Sequence, residues 1–242
     1  MDQLTERQQE ILRLIIEEYI NSAEPVGSET IVRKFNIGVS PATVRNIMVD
    51  LTREGYLQQP HTSAGRIPSP TGIKFYINTL MKESQLPVKD EVTIKERLWE
   101  ERYNYSRLLR QAARELAEKS KVLAVTASES GDIYYAGLST ILDLPEFYDI
   151  DLTKSVLGLV DEIGLLEEIL SRAVGEEDVH ILFGEDVGIE HLEPCSFIFA
   201  HFGSGEKSGS VGVIGPARLP YARLIPTIRY FSGLLTEITG NW

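Results

Sequence analysis

The stretch Ser40-Pro41-Ala42-Thr43-Val44-Arg45-Asn46 constrains this chain more tightly than any other. Ser40 is a candidate N-cap, and Pro41 falls at the first helical position, where a missing N–H does no harm. Val44, Ile47, Met48 and Leu51 follow at i, i+3, i+4 and i+7, which is one buried stripe. Thr43, Arg45, Asn46, Asp50 and Arg53 fall on the other face, and Gly55 closes a helix over 41–54. Such a helix buries one side and shows hydroxyl, guanidinium and carboxamide groups on the other.

Its flanks decide what it belongs to. A helix is expected over 5–21, with Thr5 as N-cap, Gln8 completing a capping box, and Ile11, Leu12, Leu14, Ile15, Ile16, Tyr19 and Ile20 as a broad apolar face. Ser28 caps a short helix through Ile31, Val32 and Phe35, and Gly38 suits the turn that follows. After the 41–54 helix come a short strand at 56–59, the polar loop Pro60-His61-Thr62-Ser63-Ala64-Gly65-Arg66, a return at Ile67-Pro68 and another helix from Pro70. Three helices, a strand, a loop and a strand within this span describe a winged helix-turn-helix.

In that fold the third helix enters the DNA major groove, where arginine pairs with guanine and asparagine with adenine. Arg45 and Asn46 are the candidate base readers, and Ser40 and Thr43 the candidate phosphate donors beside the helix N-terminus. The loop His61-Thr62-Ser63, with Arg66 at its base, suits phosphates or a minor groove, although a plain hairpin loop would look the same. Lys34 is a further candidate phosphate contact. The net charge of −12 speaks against DNA, but residues 26–82 hold seven basic side chains against three acidic ones. By itself so modest an excess also fits an ordinary solvated surface.

The rest of the chain reads as α+β. Residues 84–90 look like a linker, and a long charged helix is expected over 91–121, with Leu98, Tyr105, Leu109, Ala112 and Leu116 at three-to-four spacing. That stripe either docks on the neighbouring domain, the preferred reading, or forms a coiled-coil seam between two chains. Strands are expected at 122–127, 132–137, 179–184, 196–202 and 209–215, and helices near 145–149, 152–173 and 219–238. Five short strands flanked by helices make one sheet domain.

Other function classes find little support. A hydrophobic fraction of 43% supplies a real core and excludes collagen-like and wholly disordered chains. One cysteine excludes an internal disulfide framework and suits a reducing compartment. No apolar run reaches membrane-spanning length, and the acidic, polar start MDQLTERQQE is not a secretory signal, so a cytoplasmic protein is expected. The stretch Gly203-Ser204-Gly205-Glu206-Lys207-Ser208-Gly209 fails as a phosphate loop, because Glu206 stands where glycine must precede the lysine and no helix follows. A hairpin turn is expected there instead. His180, His191, Cys195 and His201 lack the spacing of a metal site, Cys195 has no activating base, and Asp161-Glu162 with Glu167-Glu168 read as a solvated helix face. No cofactor, metal or catalytic set is expected.

The segments EPVGS, SPATVRN, LTREGYL and HTSAGRIPS, with IYYAGLSTILDLPEF, LFGEDVGIEHLEPCSF and GSVGVIGPARLPYARLI further on, resemble the heat-inducible transcription repressor HrcA family over nearly the whole chain. That resemblance implies a repressor that binds double-stranded DNA at an inverted-repeat operator of chaperone operons, tuned by the GroEL chaperonin. It implies a winged-helix domain over 1–83, a linker and long helix over 84–121, and a GAF-like antiparallel sheet domain with flanking helices over 122–242. Carried over by motif, the DNA contacts are Ser40, Thr43, Arg45 and Asn46 with His61, Thr62, Ser63 and Arg66. Members commonly run longer, with an inserted dimerising domain between the long helix and the YYAGLS-like segment, so this chain resembles a shortened member. An inverted repeat demands two recognition helices, so a homodimer is expected, joined through the 91–121 helix or the sheet domain. The alternatives are a winged-helix regulator whose sheet domain senses a small molecule, and a winged helix used for protein contact.

Overall fold

The computed structural model describes residues 4–172 and 178–240, and the chain divides between Lys82 and Glu83 into two compact units. The first unit opens with α1 (Glu6–Ser22), whose Thr5 N-cap and Gln8 form the expected capping box, and continues with α2 (Ser28–Phe35). The turn between α2 and the next helix carries Asn36 and Gly38 at positive φ. Next is α3 (Pro41–Arg53), with Ser40 Oγ accepting from the Thr43 backbone N–H. Gly55, at φ 84°, turns the chain into β1 (Leu57–Gln58), which pairs antiparallel with β2 (Ile67–Pro68). A short α4 (Pro70–Phe75) runs on as a π turn through Leu80.

The core of this unit sits where the helical stripes meet. Ile11, Leu12, Ile15 and Ile16 of α1 pack with Ile31, with Val44, Met48 and Leu51 of α3, and with Leu57 and Tyr76. Gly72 of α4 lies so close to the hairpin that a Cβ there would sit 2.1 Å from the Tyr56 carbonyl oxygen. Only glycine lets α4 lie against that strand.

The second unit is built on a five-stranded antiparallel sheet of order β4-β3-β7-β6-β5. The strands are β3 (Leu123–Ser128), β4 (Ile133–Ala136), β5 (His180–Phe183), β6 (Cys195–Phe202) and β7 (Gly209–Pro216). One face is covered by α6 (Tyr105–Ser120) and α11 (Tyr221–Thr239). The other packs Leu123, Val125, Phe197, Phe199 and Ile214 against α7 (Leu138–Ile141), the 3-10 turn Pro145–Tyr148, α8 (Ile150–Asp161) and α9 (Ile163–Ser171). A short α10 (Gly184–Val187) follows β5. With both faces covered, β6 and β7 are buried almost throughout, which accounts for their near-continuous apolar runs.

Two expected helices are divided. The 91–121 span is α5 (Val88–Glu100) followed by α6, broken at Glu101–Asn104, where the Asn104 side chain accepts from Arg107 N–H and starts a new helix. The two fold back on each other, with Lys119 reaching Asp90 at 2.7 Å and Arg97 reaching the buried Glu115 at 2.8 Å. The stripe Leu109, Ala112 and Leu116 is buried within this chain, and Thr126 Oγ1 of β3 donates to the Leu109 carbonyl, so docking is the use made of it. The 152–173 span is likewise α8 and α9, divided at Glu162, which leaves helical dihedrals at ψ 78°; residue 173 lies outside the described residues. Residues 145–149, expected as a helix, form the 3-10 turn.

The segment after Lys82 has a specific role in this unit. Pro226 inside α11 has no N–H to offer the Ala222 carbonyl. Ser84 N–H takes that place, donating to the Ala222 oxygen at 2.8 Å. Glu83 beside it pairs with Arg229 at 2.7 Å.

Candidate nucleic-acid interface

The first unit presents one polar face, built from α3 and the loop between β1 and β2. Thr43, Arg45 and Asn46 are exposed on α3, opposite the buried Val44, Met48 and Leu51. Arg45 lines a cleft of about 380 Å³ between α3 and the loop, with Met48, Val49, Gln59, Thr62, Ser63 and Arg66 among the other walls. The candidate readers on the helix and the wing therefore converge on one surface, the arrangement that groove recognition requires.

The hydroxyls at the helix start are organised. Ser40 Oγ accepts from Thr43 N–H at 3.2 Å and lies 3.0 Å from Thr43 Oγ1, so the two hydroxyls share one hydrogen bond. Beside them the first turn of α3 offers backbone N–H groups and the positive end of the helix dipole, which together favour a phosphate.

The wing is a held loop. Gln59 Nε2 donates to the Thr62 carbonyl at 2.9 Å and the Ala64 carbonyl at 3.2 Å, and His61 Nδ1 lies 3.3 Å from Ser63 Oγ. His61, Thr62 and Ser63 are exposed at its tip. Arg66 is half-buried: its Nε donates to Thr52 Oγ1 of α3 at 3.0 Å. The Arg66 backbone exchanges two hydrogen bonds with Val26, at 2.8 and 2.9 Å, adding a third extended segment to the hairpin. At Gly65 a Cβ would stand 2.5 Å from the Val26 carbonyl carbon and oxygen, so this approach too needs glycine.

Lys34 is set apart from this group. Its Nζ donates to Glu18 of α1 at 2.7 Å, and the Glu18 side chain is only 8% exposed. Lys34 thus compensates a buried carboxylate, which cannot lose its partner cheaply.

Two residues of the surface escape a reading by motif. Val49 is 49% exposed on α3, one turn beyond Arg45, and offers an apolar contact of the kind a thymine methyl takes. Its i+4 spacing from Arg45 was the available signal. Gln59 sits at the base of the loop, and its part in holding the wing shows only once the loop closes on it.

The second unit holds a larger cleft, of about 660 Å³, lined by Ser128, Glu129, Glu167, His201 and Ser210 among others. Among the described residues, no three His, Cys, Asp or Glu side chains are placed to hold a metal. His180 and His201 do meet, with ring centroids 5.3 Å apart, because β5 and β6 pair antiparallel and bring them together. Burial, then the His180 charge, lowers the His201 pKa, and its Nδ1 lies 3.0 Å from Ser210 Oγ. The buried Cys195 thiol is pushed up to about 12, chiefly by burial. Glu168 pairs with Arg172 at 2.8 Å as a surface group does, whereas Glu167 Oε1 is buried without a hydrogen-bond partner, unlike the solvated side chain its sequence suggests. Residues 203–208 form the turn between β6 and β7, and Gly209 opens β7.

A recognition helix beside a held β-hairpin loop, followed by an antiparallel sheet unit, defines a winged helix-turn-helix protein of the transcription-regulator class. The chain matches the winged helix-turn-helix transcription repressor, HrcA DNA-binding, model over residues 3–69, and the HrcA protein C terminal domain model over residues 42–225. It belongs to the HrcA family. The heat-inducible transcription repressor HrcA of Carboxydothermus hydrogenoformans is 29% identical over 341 aligned positions, covering 98% of this chain and 99% of the relative. That of Pelotomaculum thermopropionicum is 27% identical over 336 positions, covering 97% of each. Those alignments are much longer than the 242 residues of this chain, so the relatives carry internal sequence that it lacks. A crystal structure described as a hypothetical protein superposes with a TM-score of 0.77 at 20% identity, over 99% of both chains, and shares the fold. Among the described residues no helix is long and apolar enough to cross a membrane.

Proposed function

We propose that this chain is a sequence-specific transcription repressor of chaperone operons, binding an inverted-repeat operator as a homodimer in the cytoplasm. The observation that carries this reading is the shared surface of α3 and the wing, where Arg45 and Asn46 stand free beside a loop fastened by Gln59 and Arg66. Arg45 and Asn46 read base edges, and Ser40 and Thr43 hold a phosphate at the α3 N-terminus. His61, Thr62 and Ser63 bring the wing tip to the backbone or the minor groove, and Arg66 positions that loop. Lys34 serves Glu18 first.

The chaperonin enters through the kinship with heat-inducible repressors. A GroEL-type partner that raises the folded, operator-competent fraction makes repression follow chaperone supply, through mass action on a marginally stable protein.

The test is fluorescence anisotropy with labelled duplexes, comparing an inverted repeat of the family type with a scrambled copy across a salt series. Strong preference for the repeat, with affinity falling steeply in salt, is the expected result. Equal, weak binding to both, before and after incubation with GroEL and ATP, overturns the reading.

A further inference from the structure

We propose that the exposed face of α8 is the surface through which two copies of this chain join, in an antiparallel, two-fold helix pair. The proposal rests on the homodimer reading above and names its contact. Among the described residues, four large apolar side chains, Leu142, Tyr148, Ile150 and Leu157, stand exposed within one short span, Tyr148 at 76% and Ile150 at 61%. Grouped exposed apolar side chains of this kind mark a candidate contact surface, and the same unit also exposes Val88, Val92, Trp99, Tyr103 and Tyr135 elsewhere.

The helix is two-sided. Leu152, Val156, Leu159 and Val160 of α8 are buried in the core of their own chain. Ile150, Lys154, Leu157 and Asp161 follow at i, i+4, i+7 and i+11 and form one exposed stripe on the opposite side. Lys154 and Asp161 belong to none of the chain's ion pairs among the described residues. Gly158 lies next to Leu157 on the stripe, and a Cβ there would meet nothing within 4 Å.

Charge decides both the occupant and the register. A two-fold axis crossing the antiparallel pair between Leu157 and Gly158 sets Lys154 of each copy opposite Asp161 of the other, twice. It also lays each Leu157 over the bare backbone at the other copy's Gly158, where the helices can approach closely. An axis through residue 154 would instead face lysine with lysine. The stripe is thus complementary to a reversed copy of itself, which is what an isologous interface requires. The centre is apolar, with one cation and one anion flanking it on each copy.

Sedimentation velocity on the full chain at micromolar concentration tests this, with and without operator duplex. The unsubstituted chain is expected to be a dimer. Leu157→Glu, and separately Lys154→Asp, which sets aspartate against aspartate, should each weaken the dimer at least about tenfold. The double exchange Lys154→Asp with Asp161→Lys should restore it. Because these side chains are exposed, thermal melts of the variants should match that of the parent, which separates lost contact from lost fold. A dimer indifferent to Leu157→Glu and to the charge reversal overturns the α8 interface and leaves the homodimer reading standing. A chain that stays monomeric even with operator overturns both.

Discussion

Arg66 Nε donates to Thr52 Oγ1 at 3.0 Å, and this bond joins the base of the wing to the recognition helix. Thr52 Oγ1 in turn donates to the Met48 carbonyl at 2.7 Å, so the cation is anchored to the helix backbone through one hydroxyl. The angle between helix and wing is therefore set by a side-chain contact as well as by the hairpin. Thr52→Val should loosen that angle. Stability should fall by about 1 kcal/mol, the worth of one partly exposed hydrogen bond, and operator affinity should fall while base preference stays the same. Urea unfolding and competition binding with single-base operator variants measure the two effects.

Arg45→Ala removes a free guanidinium from the cleft without touching the core. It should cost about 1–3 kcal/mol in operator binding and relax preference at one position of each half-site. Binding to a panel of substituted half-sites reads this directly. A uniform loss across the panel would make Arg45 a phosphate contact.

Gly65→Ala places a methyl group 2.5 Å from the Val26 carbonyl, so the paired hydrogen bonds between Val26 and Arg66 must open. The wing should detach from its third segment at a cost of about 1–3 kcal/mol. Amide exchange at Arg66 and Val26 should speed up markedly while the buried amides of α1 keep their protection. Unchanged exchange at both amides would show that the loop shifts without breaking the bridge.

Lys34→Ala strands the Glu18 carboxylate in a buried setting. The first unit should lose about 1–3 kcal/mol of stability. The salt dependence of operator binding should keep its slope, because this ammonium is already neutralised. A slope smaller by about one would reassign Lys34 to a phosphate.

His201 binds its proton less readily in the folded chain than the ordinary value of 6.5, through burial first and the His180 charge second, with Glu129 opposing both. The unfolded chain therefore holds more protons as pH drops past 6.5, so stability is full above that value and is lost as pH falls toward the folded pKa. Denaturation midpoints at pH 7.5, 6.0 and 5.0 should decline, and less so in His201→Gln. Equal declines would place the pH response elsewhere.

Much of this molecule is written locally. The caps at Thr5 and Ser40, Pro41 at the first turn, the stripe Val44-Ile47-Met48-Leu51 and the left-handed turn at Gly55 are short-range features, and they define the recognition helix before anything packs. The exposed set Thr43, Arg45 and Asn46 follows from that stripe by helical geometry alone. Helix interruptions are less visible, because Asn104 and Glu162 break continuous-looking patterns only when the flanking helices find separate partners to pack on. Tertiary structure alone decided that Val26 pairs with Arg66, that Lys34 answers Glu18, that Gln59 closes the wing and that Ser84 fills the bond Pro226 leaves open. Each joins residues distant in sequence or facing across a loop, and a hydrogen bond or ion pair forms only where the packed backbone brings donor and acceptor within reach. Periodicity specifies which face of an element is buried, and packing of the elements specifies what that face, and its polar neighbours, will meet.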